Sequence, residues 1–131
     1  MNTLPADFLY GKTVLIADDE ADLRELLAMA FERCGCRALT AGNGEEALQI
    51  LQESTVDAVV SDVRMPGADG IDLIQAIRNL SSPPACLIFI SGHSGLTEER
   101  ARLLGAFRML SKPFRLEELI RAVDAGVRNV L

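Results

Sequence analysis

Five side chains in this sequence could together handle a phosphoryl group, and each stands where a run of apolar or β-branched residues stops. Asp18 and Asp19 follow Thr13 to Ala17 (TVLIA), with Glu20 next; Asp62 follows Val56 to Ser61 (VDAVVS). Ser91 follows Leu87 to Ile90 (LIFI), and Lys112 lies just past Phe107 to Leu110. Three carboxylates gathered in one crevice repel one another, and a protein relieves that by protonating one or by binding a hard cation. Mg2+ suits such donors, because it takes one or two carboxylates together with waters and phosphate oxygens rather than a full protein cage. Asp18, Asp19 and Asp62 are therefore candidate metal ligands. An ammonium from Lys112 would balance phosphoryl oxygens, the Ser91 hydroxyl would donate to one of them, and a carboxylate would be the nucleophile. No residue has the character of a general base for turnover, so a catalyst in the ordinary sense is not expected. Each of these residues alone would read as a cap or a solvated charge. Their joint placement at four strand ends is what carries the reading.

That placement depends on elements that alternate along the chain. After the first strand, Leu23, Leu26, Leu27, Ala30 and Phe31 recur at helical spacing until Gly35 supplies a stop. A short strand from Arg37 to Thr40 leads to Asn43, a helix cap, and to a helix with Glu45 and Glu46 in its first turn. The third strand is followed by the turn-rich segment MPGADG and a helix bearing Ile71, Ile74 and Ile77, which Pro83 and Pro84 end. Thr97 caps a helix running to about Leu104 after the fourth strand, and Leu116, Leu119, Ile120, Val123 and Val127 complete an amphipathic last helix. Strand and helix in alternation predict a parallel sheet covered on both faces: one doubly wound (βα)5 domain over residues 12–131, with residues 1–11 as an N-terminal extension. In such a sheet functional groups collect beyond the carboxyl ends of the strands.

Bulk composition agrees with one domain. The 131 residues, 49% hydrophobic, can fill one core but not two. A formal charge of -6 and a pI near 4.7 argue against a surface that neutralises nucleic-acid phosphates. No apolar run reaches the length of a membrane span, and the opening MNTLPADFLY lacks a basic start, so a cytoplasmic protein without membrane contact is expected. Cys34, Cys36 and Cys86 do not make a C-x-x-C pair and read as small buried apolar residues.

Four segments, in order and on the expected strand ends, resemble the receiver domains of bacterial two-component response regulators: Leu15-Ile16-Ala17-Asp18-Asp19-Glu20, Ser61-Asp62-Val63-Arg64-Met65-Pro66-Gly67 with Asp69-Gly70, Ile90-Ser91-Gly92, and Ser111-Lys112-Pro113-Phe114. The likeness runs from about Lys12 to Arg128. It implies a flavodoxin-like, five-stranded parallel sheet of order 2-1-3-4-5, with the site between strands one and three. It also implies roles. Asp62 matches the phospho-accepting aspartate, Asp19 the acid that binds Mg2+ directly, and Asp18 the acid that holds metal-bound water. Arg64 would give its backbone carbonyl to the metal, Ser91 is the switch hydroxyl, and Lys112 contacts the phosphoryl group. The Lys112–Pro113 bond is expected to be cis. Implied partners are a sensor histidine kinase or histidine phosphotransfer protein, and a downstream protein target or an output domain outside this chain.

One position departs from the family. Where most members carry Tyr or Phe, three residues before the lysine, this chain has Met109. Phe107 lies two residues earlier and, on a strand, would point to the same side as Met109. Arg64 and His93, each two residues beyond a site residue, fall where the family tunes the lifetime of the phosphoryl group. Rival readings are a receiver that docks proteins without phosphate and a small phosphatase with an aspartyl nucleophile, which would want D-x-D at the first strand. Gly42-Asn43-Gly44-Glu45-Glu46-Ala47 also satisfies the dinucleotide pattern G-x-G-x-x-A, but its two glutamates would face the pyrophosphate.

Overall fold

The computed structural model describes residues 9–65, 70–92 and 95–128. Five strands, β1 (Thr13–Ala17), β2 (Arg37–Ala41), β3 (Ala58–Asp62), β4 (Cys86–Ser91) and β5 (Arg108–Ser111), alternate with five helices. The helices are α1 (Ala21–Arg33), α2 (Gly44–Glu53), α3 (Gly70–Arg78), α4 (Glu98–Leu104) and α5 (Leu116–Arg128). The strands form one parallel sheet in the order β2-β1-β3-β4-β5, the flavodoxin-like arrangement implied above.

The three inner strands are apolar at successive positions because both faces of the sheet are covered. Val14, Ile16, Ala58, Val60, Ile88 and Ile90 face Leu27 and Phe31 of α1 and Leu119, Ile120 and Val123 of α5. Leu15, Ala17, Val59, Leu87 and Phe89 face α2, α3 and α4 through Ala47, Leu51, Leu73, Ile74 and Ala101. The predicted caps form: the Asn43 side chain accepts from the Glu46 amide at 2.8 Å, and Thr97 accepts from the Arg100 amide at 3.1 Å. Gly35 closes α1 with φ +84°, a left-handed conformation that only glycine adopts freely.

Some boundaries shift. β3 begins at Ala58 rather than Val56 because Asp57 is taken up in a clamp on Thr13: the Asp57 amide donates to the Thr13 carbonyl, and its carboxylate accepts from the Thr13 amide, both at 2.8 Å. Helix α3 closes at Arg78, ahead of the prolines, and the Arg78 guanidinium donates to the Leu104 carbonyl at the end of α4. The expectation that Phe107 and Met109 point to one side is wrong. Met109 packs into the α2-α3-α4 side, whereas Phe107 packs on the opposite side, against α5 near Gly126. The strand starts only at Arg108, so the pleat does not extend back to Phe107. Leu9, within the expected extension, is completely buried in the α1-α5 core, and the Gly11 amide donates to the Gly35 carbonyl at 2.9 Å. All three cysteines are buried and free.

Candidate functional site

Parallel strands bring their carboxyl ends to one edge, and the chain leaves β1 toward β2 on one side and returns to β3 on the other, so a crevice opens between β1 and β3. Asp18 is the residue after β1, Asp62 ends β3, and β3 pairs with β4 so that Asp62 lies opposite Ile90, one residue before Ser91. Asp18, Asp19 and Asp62 each offer a carboxylate oxygen, and these oxygens lie within 4.8 Å of one another. Lys112 reaches in from beyond β5, its Nζ 3.1 Å from Asp62 Oδ2 and 3.6 Å from Asp18 Oδ2. Its backbone is fixed too, since the Lys112 amide donates to the Ser91 carbonyl at 2.7 Å and the Lys112–Pro113 peptide is cis, as the resemblance implied. Ser91 is buried at the end of β4. The Arg64 amide donates to Asp62 Oδ1 at 3.2 Å, orienting that carboxylate. All five sequence-derived residues thus meet at one edge of the sheet. Residues 66–69 of the second motif and His93 lie outside the described residues.

The three acids differ in surroundings. Asp18 is wholly buried; its Oδ1 accepts from the Glu20 amide at 2.8 Å, while Oδ2 has no hydrogen-bond donor, Lys112 standing at ion-pair distance only. Burial pushes the Asp18 carboxyl up from its ordinary value, against the opposing pull of the Glu20 amide and Lys112, and the neighbouring Asp62 and Asp19 charges push the same way. For Lys112, burial works downward, but the Asp62 hydrogen bond and the charges of Asp18, Asp62 and Glu20 prevail and raise it. Lys112 thus stands against Asp18 and Asp62, and among the described residues one buried Asp18 carboxylate oxygen is left without a hydrogen-bond donor. An all-oxygen donor set with an orphaned lone pair fits a hard divalent cation, Mg2+ in particular.

Arg24 is a member of the site that its sequence position did not reveal. Its Nη1 donates to the Asp18 carbonyl at 2.7 Å, pinning the peptide between the two acids. An arginine on a helix ordinarily reads as solvated; in the fold, Gly42 leaves room for it, since an added Cβ there would stand 3.1 Å from that nitrogen. This disposes of the dinucleotide reading, because Gly42 makes room for Arg24 and its amide donates to Glu46 Oε1 at 2.7 Å, filling the place of a phosphate with the chain's own carboxylate.

Comparison with known proteins agrees with this geometry. A family model described as the response regulator receiver domain matches residues 14–124. The "Probable chemotaxis protein CheY" of Rhizobium etli is 39% identical over 116 residues, covering 86% of this chain and 89% of that protein. The DNA-binding transcriptional regulator NtrC of Escherichia coli is 35% identical, and the transcriptional regulatory protein PdtaR of Mycobacterium tuberculosis 36% identical. The match spans 88% of this chain but 25% of NtrC, and 95% of this chain but 61% of PdtaR. Among solved structures, the receiver domain of the Francisella response regulator 1452 superposes with a TM-score of 0.82 at 29% identity, over 92% of this chain and all of that one.

Proposed function

This chain belongs to the response regulator receiver domain family, and from that premise we propose that it is the phospho-accepting switch of a two-component system, with Asp62 as acceptor. It is a signalling domain rather than a classical enzyme. The observation that carries the proposal is the shared position of Lys112, 3.1 Å from Asp62 and 3.6 Å from Asp18, beside three clustered carboxylates.

In this reading Asp19, Asp62 and the Arg64 carbonyl would hold Mg2+, with Asp18 holding a metal-bound water, and the ion's charge would offset both the acids and the incoming phosphoryl oxygens. An Asp62 oxygen attacks the phosphorus of a phosphohistidine in line; the new O–P bond forms as the N–P bond breaks, and the departing imidazole keeps the electron pair and takes a proton from solvent. The Arg64 amide aims Asp62 for that attack, and Lys112 stabilises the charge spread over the transferred group. Transfer turns the single charge of the Asp62 carboxylate into the roughly -1.5 to -2 of a phosphoryl group, with strong acceptor oxygens set farther out. The Ser91 hydroxyl then bonds a phosphoryl oxygen, pulling on the segment that leads into α4 and biasing a two-state equilibrium; coupling of about 1–3 kcal/mol is the usual scale. The donor would be a sensor histidine kinase or histidine phosphotransfer protein in the cytoplasm, and the recipient a protein target or an attached output domain.

Intact mass after incubation with acetyl phosphate tests this. The expected result is a Mg2+-dependent gain of one phosphoryl group that Asp62→Asn abolishes without loss of the fold. Full labelling of that variant would remove Asp62 from the role. No gain and no Mg2+ binding would favour a phosphate-independent docking module, and steady release of phosphate from a simple phosphomonoester would favour a phosphatase.

A further inference from the structure

The chain immediately after Asp62 is held from both sides. The Val63 amide donates to the Ile90 carbonyl of β4 at 3.3 Å, and the Val63 carbonyl accepts from the Gly70 amide at 2.7 Å. Val63 is thus stapled between the strand that ends in Ser91 and the first residue of α3. Arg64, the next residue, donates its amide to Asp62 Oδ1 and would offer its carbonyl to the metal. Whatever fixes Val63 fixes the backbone of Arg64.

Gly70 is buried, and its conformation is not left-handed, so freedom of backbone angle does not explain the glycine. Space does. A Cβ there would stand 2.8 Å from Phe89 Cε1, closer than real side chains sit, and at a tight 3.0 Å from Cζ and 3.2 Å from the Val63 Cα. Ring atoms at the tip of a side chain can sometimes swing aside, but Phe89 is fully buried among Leu73, Ile74, Val59 and Ala101, and a close-packed core leaves a phenyl ring nowhere to go. A methyl group would therefore push Gly70 away from Val63 and strain the bond between them.

We propose that Gly70 is a positioning residue for the metal site: lacking a side chain, it lets the Phe89 ring close against the start of α3, and this contact sets Val63 and through it Arg64. The proposal rests on Arg64 contributing a metal ligand, as argued under Proposed function. The contact also joins the loop after the acceptor aspartate to the strand that carries the hydroxyl, since Phe89 lies two residues before Ser91 on β4.

Three variants of the full chain test it by calorimetric Mg2+ titration, melting in EDTA, and the amide resonance of Arg64 in the metal-free protein. Gly70→Ala should weaken Mg2+ affinity by about tenfold, the usual scale when support behind a metal ligand is lost. Phe89→Leu, which withdraws the buttress, should weaken it by roughly threefold. Combined, the smaller Leu makes room for the new methyl, so the double variant should bind within about threefold of the parent, better than Gly70→Ala alone. The Arg64 resonance should move in each single variant and return in the double. Should Gly70→Ala fail to fold, Phe89→Leu and the double variant still read the coupling. Mg2+ affinities within about twofold of the parent in folded single variants, or additive losses in the double, would overturn the proposal and leave Gly70 with a purely structural part. A parent that binds no Mg2+ would instead remove the functional reading, while the Arg64 resonance would still report whether Gly70 and Phe89 set that backbone.

Discussion

Asp18 shows what the site costs the fold. Its carboxylate is fully buried with one oxygen lacking a donor, and burial is the first cause of its raised pKa. For a carboxyl raised in the folded state, the favourable contribution is present at low pH, where it is protonated, and is lost as pH rises through the folded value. In metal-free protein, Asp18→Asn should therefore raise the melting temperature at neutral pH by a few degrees, roughly 3 °C, and that gain should disappear as the parent is taken down toward pH 4. Melting curves in EDTA across this range check it; an unchanged or lower melting temperature at pH 7 would mean that Lys112 already compensates the charge. The five residues named from sequence were legible because acid, hydroxyl and ammonium at strand ends have few other reasons to assemble. Arg24 was not, since nothing in a helical arginine six residues after Asp18 says that its guanidinium turns back to a carbonyl at 2.7 Å.

Helix α4 is tied at both ends by side chains. At its start, Glu98 Oε2 accepts from the Met109 amide at 3.2 Å and from Arg108 Nε at 3.1 Å, with Arg102 at 3.6 Å; at its end the Leu104 carbonyl accepts from Arg78. The Met109 bond is the first cause of Glu98's lowered pKa, and it covers a backbone donor on the outermost strand of the sheet. Glu98→Ala should cost under about 1 kcal/mol, because the side chain is 40% exposed and solvent screens its ion pairs, yet it should speed hydrogen exchange at the Met109 amide clearly more than at neighbours in β5. Glu98→Gln, which keeps an acceptor, should do so less. The tie should weaken below the ordinary glutamate range, since a carboxylate with a depressed folded value contributes above its unfolded pKa and loses that contribution as it protonates. Uniform exchange across β5 in the alanine variant would show that the helix, not Glu98, protects this edge. The ten elements themselves could be read from periodicity, and the caps from Asn43 and Thr97. Their limits could not, because pairing decides them: Asp57 is drawn into its clamp on Thr13, and Phe107 escapes the pleat that Met109 obeys.

The molecule as a whole is a two-sided core with an acidic crevice at one edge, and both parts make measurable claims. The core begins earlier than composition suggests: Leu9 is buried among the α1 and α5 residues, so Leu9→Ala should cost about 2–5 kcal/mol in chemical denaturation, a loss in the range of interior leucines. A loss below about 1 kcal/mol would return Leu9 to an extension that the fold can spare. At the crevice, a formal charge of -6 would let any dissolved cation stabilise the protein a little by screening, so stabilisation by Mg2+ means something only if it is local. A ligand that binds the folded state alone adds RT ln(1 + [L]/Kd), about 2.7 kcal/mol at one hundred times Kd, which for a domain of this size is a rise of roughly 8–10 °C in melting temperature. That rise should saturate with Mg2+, should not be reproduced by NaCl at matched ionic strength, and should mostly vanish in Asp19→Asn. Asp19 is the discriminating position because it is exposed, so its replacement removes a ligand without opening the core. An Asp19→Asn protein that keeps the full Mg2+ rise would mean that diffuse charge and not the three-acid cluster takes up the ion, and the chemistry proposed for Asp62 would lose its support.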